Sequence, residues 1–343
     1  MASRIMNLVR HFTRKPTVGM TPSDVVFQEN KWKLLRYRSE QTSGLPILLV
    51  PSLINRHYVL DLKPGKSFVE YLVARGHDVF IIDWGTPGPE DRYLEFDDFA
   101  EAYLGRALRK TCKIAGVEQA HVLGYCLGGT LTTIHAAKHP EHIASLTNLA
   151  APISFEDGGL LAAFSNIKTL DLEILNQAFG NVPWPLMQFG FHLLRPTMNL
   201  SKAVYVMDRS EDDEFLDGFF ALETWGNDNV SFPGRAFVRY IQELYRENRL
   251  VKGEFALGGQ LLDLASIEMP VLNIAFKHDN IVPVESAAIL NDLISSTDKT
   301  LHRLGGGHVG AVVSTKAATG LWPLISDWWR ERDPVSNVTR IAV

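Results

Sequence analysis

Residues 121–130 read HVLGYCLGGT and place a cysteine where a reacting group is needed. The apolar run before Cys126 has strand character, and LGGTLTTIHAAKH after it has the spacing of a helix. A strand that turns straight into a helix forces the residue between them into a strained backbone. Gly124 and Gly128 remove side chains that would collide across so tight a turn. The amide of Leu127 then points where an oxyanion would form, and the positive helix end favours thiolate over thiol. The same glycines would also accommodate a buried, inert cysteine, so the reading depends on partners elsewhere in the chain.

A thiol nucleophile on a strand-turn-helix elbow requires a base and a group to orient that base. Along such chains the order is nucleophile, acid, histidine, each beyond a core strand. VLNIAFKHDNIVP puts Asp279 just past an apolar strand, and KTLHRLGGGHVGAVV puts His308 past the next one, in a loop with three glycines. His308 would take the proton from Cys126, and Asp279 would fix its tautomer. The chain has 11 histidines, of which His121, His135, His139 and His142 flank the nucleophile on strand or helix positions. His278 is the rival base and Asp157 the rival acid, while Asp83, closing IIDWG, reads as a structural hydrogen-bonding residue. The second oxyanion amide is expected from the loop in LVPSLINRHYVLDL, with Val59 ahead of Asn55.

The elements that position these residues are legible as an alternation. PILLVP (46–51), DVFIID (78–83), HVLGY (121–125), IASLTNLAA (143–151) and VLNIAF (271–276) are apolar strand candidates with helix-like segments between them. Such alternation predicts an α/β chain with a mainly parallel sheet covered on both faces. Residues 152–268 break it, and an insertion over the carboxyl ends of the strands accounts for the break. The chain divides into a leader (1–21), a core (22–151 and 269–332), the insertion and a tail (333–343). The acidic run SEDDEFLDG (210–218) reads as a solvated loop or the edge of a lid. The leader carries Arg4, Arg10, Arg14 and Lys15 among apolar residues, as an amphipathic helix, a targeting segment or a mobile extension would.

Composition narrows the function classes. With 343 residues, 46% of them hydrophobic and 21% charged, the chain is long enough for one large domain with an insertion. A net charge of −5 argues against a surface that neutralises nucleic-acid phosphates. No apolar run is as long as a membrane span, and no signal-peptide core follows Met1. Two cysteines, Cys112 and Cys126, point to a reducing, cytoplasmic compartment, and Cys112 sits among apolar helix neighbours as a packing residue. No CxxC or HExxH suggests a metal site.

With Cys126, Asp279 and His308 in order, the sequence resembles the catalytic subunit of polyhydroxyalkanoate synthases, most nearly the short two-component type, class III. The resemblance rests on LINRHYVLDL, HDVFIIDWGTPGPEDRYLEFDDF, GYCLGGT, the segment from ELYREN to LGGQLLDL, PVLNI with Asp279, and GGHVGAVVS. It implies an α/β-hydrolase fold with a cap insertion and a triad of Cys126, Asp279 and His308. It implies a 3-hydroxyacyl-coenzyme A substrate, free coenzyme A as a product and no separate cofactor. A homodimer, a second non-homologous subunit and residence at the surface of polyester granules belong to the same expectation. Asn280 stands where the family usually has histidine, and Leu127 where close class III relatives often carry glutamine. Hydrolysis on the same triad, by a thioesterase or polyester depolymerase, is the competing activity. A non-catalytic relative that binds acyl-coenzyme A or the partner is the competing class.

Overall fold

The structure is a computed structural model that describes residues 2–39, 41–156, 167, 171–193 and 198–334. Eight strands build its central sheet: β1 (Asp24–Glu29), β2 (Trp32–Tyr37), β3 (Ile47–Val50), β4 (Val79–Asp83), β5 (Ala120–Tyr125), β6 (Ile143–Leu149), β7 (Val271–Phe276) and β8 (Lys299–Leu304). Their spatial order is β1-β2-β4-β3-β5-β6-β7-β8. The pairings from β4 through β8 are parallel, whereas β1 to β2 and β2 to β4 are antiparallel. The antiparallel entry was not evident from the alternation, because β1 is a largely exposed edge strand with mixed polarity.

The central strands are buried on both faces, which is why they read as continuous apolar runs. In β3, Leu48 and Val50 join one core and Ile47 and Leu49 the other, as a two-residue side-chain period requires. Helices α1 (Ala2–Thr13), α2 (Phe68–Ala74), α3 (Leu104–Ala115) and α4 (Leu127–Lys138) come before the insertion. The first core packs against α3 and α4, and the second against α2 and, near the C-terminus, the helix at Trp322–Arg330. Apolar burial of these side chains, about 1.5–3 kcal/mol for each fully buried one, holds the layers together.

Between β6 and β7 the described residues are mainly helical, with α5 (Leu172–Phe179), α6 (Trp184–Leu193), α7 (Met198–Asp208), α8 (Asp213–Asn227) and α9 (Gly234–Arg239). The acidic run is not a loop. Asp212 caps α8 by accepting from the Phe215 amide, and Asp213 and Glu214 fill the first turn, where the helix dipole favours negative charge. Nor does the leader hang free. Arg4 pairs with Glu211 and Arg10 with Asp213, His11 lies 3.3 Å from Asp217, and Phe12 meets the edge of Phe220. The basic face of α1 thus finds the acidic start of α8, a complementarity the local sequence of either segment does not reveal.

Two buried histidines make the fold sensitive to acid. His77 contacts Ser326 Oγ at 2.8 Å and His135 lies 2.9 Å from the Ala100 carbonyl. Burial, the largest cause for each, lowers both to about 4. In the unfolded chain each titrates near its ordinary value of about 6.5. The unfolded state therefore binds more protons between those values, and stability is lost as pH falls from about 6.5 towards 4. Each site contributes on the order of 3 kcal/mol over that window. Urea titrations across the window should show the midpoint falling with pH, and His77→Gln should make the fall shallower. A fall as steep in the variant as in the wild type would contradict the assignment.

Candidate active site

The site lies at the carboxyl ends of the parallel strands. Cys126 follows the last residue of β5, Asp279 comes shortly after β7, and His308 shortly after β8. Cys126 has φ 56° and ψ −131°, a conformation that costs a non-glycine residue about 1–3 kcal/mol. The surroundings hold it there. Its amide donates to Leu149 O at 3.0 Å, and its carbonyl accepts from Gly129 N at 2.8 Å. A Cβ on Gly128 would run into the carbonyl oxygens of Val50 and Pro51, and one on Gly124 into Gly129 and Thr132. Leu127 is buried and opens α4, so its amide is one of the first-turn N–H groups with no helical acceptor of its own.

His308 and Asp279 meet as the order along the chain predicts. His308 Nδ1 lies 2.7 Å from Asp279 Oδ2, and both side chains are almost wholly buried. The other carboxylate oxygen, Oδ1, accepts from the amides of Ile281 and Val282 at 2.8 and 2.9 Å. Asp279 is therefore fixed by backbone on one side and turned to the imidazole on the other; its neighbour Asn280 is exposed. Burial alone would lower the His308 pKa, but the charge of Cys126, the Asp279 hydrogen bond and a hydrogen bond to Cys126 outweigh it and raise the imidazolium to about 10. The three side chains form one electrostatic unit.

The rivals are placed elsewhere. His278 is exposed, whereas its neighbour Asp279 is buried. His121 pairs with Ser145 Oγ, His139 with Glu101 and His142 with the Glu118 carbonyl. Asp157 lies outside the described residues. Cys112 is buried, and burial pushes its thiol up to about 12. Asp83 has the structural part foreseen for it, accepting from the Gly85 amide at 3.0 Å and facing His57 Nδ1 at 3.3 Å. Val59 is buried in a short 3-10 turn, His57–Leu60, where its amide makes a long bond of 3.5 Å to the Arg56 carbonyl.

Three buried tyrosines that bear on the site were missed. Tyr125 stacks at a tilt on His308, with ring centroids 5.2 Å apart, and its hydroxyl donates to the His308 carbonyl. Tyr240 and Tyr245 belong to the helical segment Tyr240–Arg246 of the insertion. Their rings meet edge to face with centroids 5.3 Å apart, and burial first, with the Cys126 charge among the further causes, disfavours ionisation of both. Tyr125 lies in GYCLGGT and Tyr245 in ELYREN, whereas Tyr240 falls outside the quoted segments, and none of the three carries a spacing rule of its own.

Known proteins share the fold and much of the sequence. The α/β-hydrolase fold family matches residues 46–314, and the N-terminal region of poly-beta-hydroxybutyrate polymerase matches residues 7–72. A poly(3-hydroxyalkanoate) polymerase subunit PhaC from Allochromatium vinosum is 34% identical over 92% of this chain and 90% of its own length. The chain belongs to the poly(3-hydroxyalkanoate) polymerase family. The same-named subunit of Haloferax mediterranei is 37% identical over 92% of the chain, which spans 65% of that polymerase's length. The monoglyceride lipase of Saccharomyces cerevisiae, at TM-score 0.61 and 14% identity, covers 93% of the chain and 97% of its own. It shares the fold with this polymerase relative.

If Cys126 is the main source of the raised His308 titration, its removal must lower it. Histidine-selective NMR should find the His308 imidazolium titrating at lower pH in Cys126→Ala, with a smaller shift in the same direction in Asp279→Asn. A Cys126→Ala titration that stays where the wild type has it would refute the coupling.

Proposed function

We propose that the protein joins (R)-3-hydroxyacyl units, taken from coenzyme A thioesters such as 3-hydroxybutyryl-coenzyme A, into a polyester with release of coenzyme A. The observation that carries this reading is a cysteine held in the strained elbow beside a buried His308–Asp279 pair, in a chain of the polymerase family.

Cys126 sulfur attacks the thioester carbonyl. The oxyanion is met by the Leu127 amide and by an amide of the loop after β3, for which Val59 is the candidate. The carbon–sulfur bond to coenzyme A breaks, and its thiolate leaves with the proton His308 took from Cys126. The 3-hydroxyl of another unit then attacks acyl-Cys126 while His308 accepts its proton. An ester forms, the Cys126 sulfur is expelled, and His308 returns the proton to it. Asp279 keeps the imidazole in the tautomer that exchanges protons through Nε2. Transfer from one sulfur to another is nearly isoenergetic, so the acyl group stays activated for the alcohol.

Water is the competitor at the second step, and the insertion acts as a cap against it, with Tyr240 and Tyr245 buried in its helical segment. The relatives' description as a polymerase subunit supports action with a second, non-homologous subunit, and the family reading extends to a homodimer. Exposed Met6, Val9 and Phe12 on α1 and Val204 and Met207 on α7 suit an apolar granule surface within the cytoplasm. Among the described residues no helix is long and apolar enough to cross a membrane.

Purified protein supplied with 3-hydroxybutyryl-coenzyme A, alone and with a candidate second subunit, should release free thiol and form insoluble, high-mass polyester. Cys126→Ala should lower the rate by about 10³-fold or more, while Cys112→Ala stays near wild type. Thiol release with only monomeric hydroxy acid would make the protein a hydrolase, and full activity in Cys126→Ala would remove the nucleophile.

A further inference from the structure

The loop after β3 is held from two sides. On the core side, His57 Nδ1 lies 3.3 Å from Asp83 Oδ1, and Arg56 Nη1 donates to the Gly85 carbonyl at 3.5 Å. On the insertion side, the end of α8 and the residues after it bond to Ile54, Asn55, Arg56 and Tyr58. The Trp225 indole donates to the Arg56 carbonyl at 2.9 Å. Asn55 and Asn229 bond through their side chains and pair as an antiparallel bridge, and the Val230 amide reaches the Ile54 carbonyl at 3.4 Å.

At the centre of that grip is one carboxylate. Asp228 Oδ1 accepts from Arg56 Nε at 3.2 Å, and Oδ2 accepts from the Tyr58 hydroxyl at 2.8 Å. Arg56 and Tyr58 flank His57, so a single acidic side chain fixes the residues on either side of the contact to Asp83. Tyr58 remains a donor, because burial and then the Asp228 contact hold its hydroxyl well above the ordinary phenol range. Charge-assisted bonds of this kind are the stronger ones, and here one carboxylate has both.

We infer that Asp228 is a positioning residue for reaction at Cys126: through Arg56 and Tyr58 it sets the loop that carries the second oxyanion amide, and so makes the seating of the insertion a condition for turnover. The inference rests on the acyl-transfer reading. It explains why the insertion contacts this loop through part-buried, charge-assisted bonds while its outer helices carry exposed apolar faces. With the insertion displaced, Arg56 keeps only the Gly85 carbonyl, Tyr58 loses the Asp228 carboxylate, Asn55 loses its partner, and the 3-10 turn holding Val59 is left with its core-side contacts alone.

Asp228→Asn, nearly isosteric and uncharged, separates positioning from folding. Thiol release from 3-hydroxybutyryl-coenzyme A should fall in kcat by about tenfold or more with KM nearly unchanged, as a small misplacement of a donor produces. Tyr58→Phe should lower kcat less, and Asp228→Glu should recover part of the loss. Hydrogen exchange at the amides of residues 54–60 should quicken by about tenfold in Asp228→Asn, with β5 and α4 unchanged. Unaltered exchange at 54–60, or quickened exchange with wild-type kcat, would overturn the inference, as would a general loss of protection across β5 and α4. Wild-type protein that releases no thiol would instead overturn the acyl-transfer reading. The exchange measurement needs no substrate and still decides whether Asp228 holds the loop.

Discussion

Everything at the site depends on the backbone of Cys126 being held where an L-residue does not choose to be. The positive φ costs free energy, and three neighbours hold the residue in place: the Leu149 carbonyl on the adjoining strand, the Gly129 amide in the first helical turn, and the close approach of Gly128 to Val50 and Pro51. That arrangement exists only because β5 and α4 are both clamped in the core, with ten residues of α4 buried. The sheet thus supplies the strain, and the strain lifts the sulfur clear of the backbone towards His308.

The second constraint is electrostatic. A buried imidazolium is costly in isolation, yet His308 is buried between the Cys126 sulfur and a carboxylate whose second oxygen is held by two backbone amides. Neither partner is free to turn away, so the pair presents one geometry to an incoming acyl group. From the insertion, Asp228 reaches Arg56 and Tyr58 of the loop after β3.

Much of this was legible in the sequence, for identifiable reasons. Strands buried on both faces must be apolar throughout, so VLNIAF was read with its boundaries and Asp279 with it. The elbow was legible because its glycines answer to backbone clashes within a few residues. What escaped depends on contacts between distant segments. The acidic start of α8 looked like a solvated loop because its cationic partner, α1, lies about two hundred residues away, at Arg4 and Arg10. Tyr240 and Tyr245 obey helical spacing no better than any core aromatic, and only the folding of the insertion packs them against each other and Phe155. Asp228 was one more acid in a polar stretch until Arg56 and Tyr58 were placed against it.

The central claim is that an acyl group passes through the Cys126 sulfur, and a substrate that can enter but not extend tests it most directly. Butyryl-coenzyme A lacks the 3-hydroxyl on which a chain would grow. Intact-mass and peptide analysis after mixing should therefore show one butyryl group on the peptide containing Cys126, and none after Cys126→Ala. Butyrylation of another residue, or coenzyme A release and turnover with no acyl-protein while Cys126→Ala remains active, would contradict it.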